Sequence, residues 1–130
     1  MTRFKALAAM VTLVGMISLP ATAQDAALDP SGTFVDEYGT TFTFSLCGSG
    51  TDLCGTLDVL KGESATEENL AYVGSQIMTA QQTEANTWKG AIDAGGLSAE
   101  ATIKQTGPDT IDIEGCRAGL LCQTLTYSRK

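Results

Sequence analysis

From residue 32 onward the chain is dominated by short runs in which apolar and polar residues alternate. Phe42, Phe44 and Leu46 alternate with Thr41, Thr43 and Ser45. Leu97, Ala99, Ala101 and Ile103 alternate with Ser98, Glu100, Thr102 and Lys104, and Ile111 and Ile113 with Asp112 and Glu114. The last run sets Leu121, Gln123, Leu125 and Tyr127 against Cys122, Thr124, Thr126 and Ser128. A period of two sends successive side chains to opposite faces, so each run predicts a strand with one face in a core and the other in solvent. Further strands are expected over 32–38, 55–60 (Leu57 and Val59 inward), 70–78 (carrying Val73 and Ile77) and 87–93.

The breaks between runs carry turn chemistry. Gly39, Ala94-Gly95-Gly96 and Gly107-Pro108-Asp109 read as tight turns. The stretch 62–69 reads as a polar loop or one helical turn, with Ser64 and Glu67 at capping-box spacing. The stretch 80–86 reads as a polar connection. About eight short strands spaced roughly eight to twelve residues apart predict an antiparallel meander. Closing it into a small up-and-down β-barrel removes the exposed edges. Strands this short enclose an interior filled by their own side chains, with little room for a large ligand.

The N-terminus reads differently. Thr2-Arg3-Phe4-Lys5 is a basic start, and Ala6 to Leu19 is an apolar run. That run is too short for a bilayer span and has the length of a signal-peptide core. Pro20 interrupts it, and Ala21-Thr22-Ala23 is a small-x-small cleavage site. The expectation is a signal peptide over 1–23, a single domain over 24–130, and a periplasmic or secreted protein with no membrane span in its mature form. Removing Arg3 and Lys5 leaves six basic against fifteen acidic side chains, a formal charge near −9. Such a chain is repelled by nucleic acid and by anionic lipid, so neither is an expected partner. A monomer is expected.

Four cysteines in a small exported domain predict two disulfides, for which three pairings can be drawn. Cys47–Cys54 and Cys116–Cys122 close loops of six and five residues that contain glycine, so local pairing is expected. A zinc site is disfavoured, because the chain has no histidine and no Cys-x-x-Cys spacing. No metal and no cofactor is expected.

A set of motifs carries a resemblance. Leu53-Cys54-Gly55 after Cys47, then Trp88-Lys89-Gly90, Gly115-Cys116, and Thr124-x-Thr126-Tyr127-Ser128-Arg129 together resemble domain-of-unknown-function family 2147. That family consists of small exported bacterial proteins. Phe34 and Tyr127 stand where the family has tryptophan, and several of its mid-chain motifs are missing. The layout also resembles the lipocalin-type (calycin) barrel, with Gly32-x-Phe34 in the first strand and Arg129 ending the last. That resemblance implies that Arg129 packs over the Phe34 ring and closes one end of the barrel.

Chemistry is sparse. Without histidine, Ser-His and Cys-His nucleophile systems are absent. Asp36-Glu37, Glu67-Glu68 and Asp112 with Glu114 are the carboxylate pairs, read as solvated faces rather than as acid–base pairs. No calcium-loop pattern is present. Trp88, Tyr72 and Tyr38 are the candidate ligand-binding residues at a barrel mouth, although a lone tryptophan such as Trp88 is more often core. The expected function is a non-enzymatic binding or interaction module of the cell envelope, holding a small apolar ligand or an envelope protein. The alternatives are a purely structural or protein-partner role, or a carboxylate-dependent hydrolase.

Overall fold

The computed structural model describes residues 27–130, so the predicted signal segment lies outside the described residues. Eight strands follow in order: β1 (Gly32–Val35), β2 (Thr41–Cys47), β3 (Asp52–Val59), β4 (Gln76–Glu84), β5 (Thr87–Ile92), β6 (Ala99–Gly107), β7 (Thr110–Arg117) and β8 (Leu121–Arg129). Each pairs antiparallel with the next and β8 returns to β1, forming the expected closed up-and-down barrel. A single-turn helix, α1 (Glu67–Leu70), sits in the link between β3 and β4.

The meander gives the barrel two unlike ends. At one end lie the short turns after β2, β4 and β6 and the end of β8. At the other lie the β1–β2 turn, the long β3–β4 link with α1, the β5–β6 link and the β7–β8 turn. The first end is packed shut. Phe34, Phe44, Leu53, Leu57, Met78, Ile103 and Ile111 are fully buried inside the barrel. The Phe34 and Phe44 rings lie 5.7 Å apart, and Phe42 stacks on Phe44 at 5.5 Å. Burying each such side chain contributes about 1.5–3 kcal/mol. Trp88 belongs to this half too, and its Nε1 donates to the Thr51 carbonyl at 2.9 Å.

Arg129 seals the packed end. Its guanidinium carbon lies 4.6 Å from the Phe34 ring centre, as the barrel resemblance implied. It donates to the carbonyls of Asp29, Ser31 and Pro108 and pairs with the Asp109 carboxylate at 3.1 Å. Gly32 makes this possible. Its φ is +132°, and a Cβ there would stand 2.5 Å from an Arg129 guanidinium nitrogen. Both disulfides form locally, Cys47–Cys54 and Cys116–Cys122.

Several sequence expectations are corrected. β1 ends at Val35, because the Asp36 Oδ1 accepts from the Tyr38 and Thr40 backbone N–H groups and turns the chain. The stretch 70–78 is not a strand: α1 ends at Leu70, turns follow, and β4 starts at Gln76 and continues through the supposed connection to Glu84. Thr66, not Ser64, caps α1, its Oγ1 accepting from the Asn69 N–H. The piece 95–97 is a turn of 3-10 helix rather than a hairpin turn. Leu46 is 45% exposed instead of inward, while a register shift between Thr41 and Phe42 buries both of those residues.

Candidate functional site at the open end

Inward positions decide where the barrel is filled. Towards the packed end they are Phe, Leu, Met, Trp and Ile. Towards the other end β6 offers Ala99, β7 Gly115, and β8 Gln123 and Leu125. Small side chains on two neighbouring strands leave space that no other residue occupies. That space is a cleft lined by Ala99, Gly115, Ile113 and Leu121, and beside it lies a cavity of about 340 Å³ among Phe42, Leu57, Ile77, Leu125 and Tyr127. The cleft, of about 590 Å³, shares Ile92, Leu97, Gln123, Leu125 and Tyr127 with the cavity.

The seam of the barrel widens this space. β1 has only four residues, so it meets β8 at two positions alone, Phe34 opposite Arg129 and Val35 opposite Ser128. The upper part of β8, residues 121–127, has no strand on that edge among the described residues. The cavity therefore opens along β8 as well as at the mouth. The β1–β2 turn and the start of the β3–β4 link, with Tyr38, Lys61 and Glu63, form the facing wall.

Polar groups are few and placed. Tyr127 packs edge-on against Phe42 with ring centres 5.7 Å apart. Burial first, and then the charge and hydrogen bonding of the Asp36 carboxylate, raise the Tyr127 phenol well above its ordinary value of 10.0. The phenol thus stays protonated and faces a carboxylate already held by two backbone amides. Gln123 presents its amide to the same space and is itself exposed. Arg117, on β7, reaches across the mouth and donates to the Gly96 carbonyl in the β5–β6 link.

The β3–β4 link forms a flap-shaped cover packed on this end. Asn69 of α1 is buried, donates to the Ser64 carbonyl and leaves its Oδ1 without a partner. Gly96 lies against that amide and Gly95 against the Tyr72 ring, so α1 rests on the β5–β6 link. Among the described residues, five of the six exposed large apolar side chains also ring this end: Tyr38, Leu70, Val73, Leu120 and Leu121, the last two 84% and 74% exposed.

The three aromatic residues singled out from the sequence are not brought together. Tyr38 stands on the rim and lines the cavity. Tyr72 joins the flap to the β5–β6 link instead of entering the cavity. Trp88 lies in the packed half, on the opposite side of the barrel from the mouth. The residues that do line the site, Gln123, Leu125 and Tyr127, form the inward face of the last strand. The signal for them was present in the sequence: a glutamine on an otherwise apolar inward face marks a strand that does not end in packed core. Asp36 was visible only as half of an acidic pair. Comparison with known protein families, with curated proteins and with solved structures finds no match to this chain.

Proposed function

We propose that the protein is a non-enzymatic binding module of the cell envelope whose open end takes one small, largely apolar molecule. The observation that carries this is the half-filled barrel: one end is packed with large side chains, while the other keeps a cavity of about 340 Å³ with an apolar floor. Ligand pockets run from about 300 to 1,000 Å³ and combine an apolar lining with a few placed polar groups. Gln123 and the Tyr127–Asp36 pair are such groups here. The apolar rim supports entry from this end, since large exposed apolar patches mark interaction sites. Export rests on the basic-apolar-small N-terminal pattern, on the two disulfides and on the family-2147 resemblance.

A hydrolase reading gains little support, because Asp36 is engaged by its own turn and by Tyr127. A protein-partner reading is favoured by one observation, the exposed Leu120-Leu121 tip of the β7–β8 hairpin. Native mass spectrometry of the protein purified from its own cells separates the readings. A reproducible added mass of a few hundred daltons that is lost on denaturation is the expected result. A clean chain mass that gains nothing on incubation with a lipid extract of the same cells overturns the ligand reading.

A further inference from the structure

The outer face of the β7–β8 hairpin holds a group of donors that plays no part in the cavity. Residues 112, 114 and 116 of β7 point outward, because Ile111 and Ile113 between them are buried. Cys116 stands directly opposite Cys122 in the register of the two strands. The Glu114 carboxylate lies two residues away on the same face. One oxygen of Glu114 and the two cysteine sulfurs all fall within 4.8 Å of one another. Among the described residues no other group of three metal-ligating side chains is this close, and the Cys47–Cys54 pair has no such third member.

The two disulfides also differ in access. Cys54 is only 8% exposed and lies against the packed half of the barrel. Cys122 is exposed, Cys116 half-buried, and the hairpin around them leads out to solvent. Cys47 is half-buried like Cys116, so the sulfur of the exposed Cys122 is the one a reductant reaches most readily, and its bridge opens first. We propose that Glu114, Cys116 and Cys122, with their disulfide reduced, form a binding site for a thiophilic divalent cation such as zinc.

The chemistry balances. A dithiol reductant supplies two electrons and two protons; its own sulfurs join in a disulfide as the Cys116–Cys122 bond opens to two thiols. The incoming dication displaces both thiol protons to solvent and is held by two thiolates and one carboxylate. Two sulfurs with one oxygen suit zinc, and a fourth, open position remains for water. The register already holds both sulfurs side by side on neighbouring paired strands, so the hairpin keeps its pairing in either state. Disulfide and cation are thus alternative staples of the turn that carries Leu120 and Leu121.

The test uses cobalt(II) as the probe, on protein reduced with a phosphine and freed of the reductant. The expected result is one equivalent bound, seen as a thiolate-to-cobalt charge-transfer band that zinc abolishes. Glu114→Gln, on the exposed surface, should weaken binding at least about tenfold, since even an outer-shell partner of a metal ligand contributes that much. Oxidised protein should give no band, and Cys47→Ser with Cys54→Ser should keep it. No band from reduced wild-type protein overturns the site. Equal cobalt affinity in Glu114→Gln also overturns it, because the two thiolates would then act without the carboxylate. Near-ultraviolet circular dichroism of the buried Trp88 confirms that each variant is folded.

Discussion

Arg129 and Tyr127 occupy neighbouring inward positions on β8 and do opposite jobs. Arg129 couples an aromatic face, three carbonyls and one carboxylate at the packed end. An arginine over an aromatic ring contributes about 0.5–1 kcal/mol at an exposed site. Its hydrogen bonds to carbonyls add about 1.5–3 kcal/mol together, because the donor is charged. Arg129→Ala should therefore lower unfolding free energy by about 2–4 kcal/mol in urea titration. Arg129→Lys should recover less than half, since an ammonium cannot fork to several acceptors. At Tyr127 the folded protein favours the neutral phenol. The stability this contributes is complete below the ordinary value of 10.0 and is lost as pH climbs above it, because the unfolded chain ionises first. Stability measured at pH 9 and pH 11 should thus fall more steeply in wild type than in Tyr127→Phe. An equal fall in both would refute this role for the Asp36-facing phenol. The Arg129–Phe34 contact was anticipated through the barrel resemblance, whose motif needs only a strand start and a strand end. The Asp36–Tyr127 contact was not, because it depends on β1 stopping at Val35.

At the scale of elements, alternation located the strands wherever apolar and polar residues alternate along the run. β2, β6, β7 and β8 are of this kind, and their patterns were plain even though β2, β7 and β8 are exposed on both faces at one end. β4 is not. Past Ala80 its residues Gln81–Glu84 are exposed on both faces and are held by backbone pairing with Thr87 to Lys89. A polar run with no buried face looks like a loop in sequence, although a hairpin ladder can carry it. Conversely, Leu70 and Val73 looked like strand residues but belong to the flap, where they are 45% and 38% exposed. The β4–β5 pair also explains the Trp88-Lys89-Gly90 motif in physical terms. A Cβ on Gly90 would stand 2.0 Å from the Thr79 carbonyl oxygen and 2.5 Å from the Ala80 Cα. Both are backbone atoms of the adjacent strand, so no side-chain rotation relieves the clash. Gly90→Ala should cost about 1–3 kcal/mol by overpacking, with β4 and β5 forced apart. A thermal midpoint within 2 °C of wild type would show that the strands yield freely, since each kcal/mol moves the midpoint of so small a domain by roughly 4–8 °C.

At the scale of the whole molecule, the question is why a barrel this small keeps an empty half. The composition of the inward face answers it. Were Ala99 and Gly115 large, the open end would be packed like the other and the chain would gain buried area. Both are inward and line the 590 Å³ cleft, and Gly115 has room for a Cβ. A Cβ on Gly115 would meet the Ala99 Cβ at an ordinary 3.7 Å, so the vacancy is a property of residue choice rather than of backbone constraint. Leaving it empty forgoes stability, which is the trade expected where a site is retained for binding. Ala99→Leu tests this directly. By placing a larger apolar side chain in the cleft lined by Ile113, Leu121 and Leu125, it should hold or raise the thermal midpoint. It should also reduce the added mass seen in native mass spectrometry, because the cleft shares Leu97, Gln123, Leu125 and Tyr127 with the cavity. A drop in stability would mean that the cleft cannot take the side chain. Unchanged ligand mass at unchanged stability would confine the ligand to the cavity among Phe42, Leu57 and Ile77, which Ala99 does not line, or place it at the exposed Leu120-Leu121 tip, to be tested by substitution to serine. Trp88, buried at the far end, should keep the same fluorescence whether or not the cleft is filled, so tryptophan emission serves in these experiments as a check on folding and not as a report of binding.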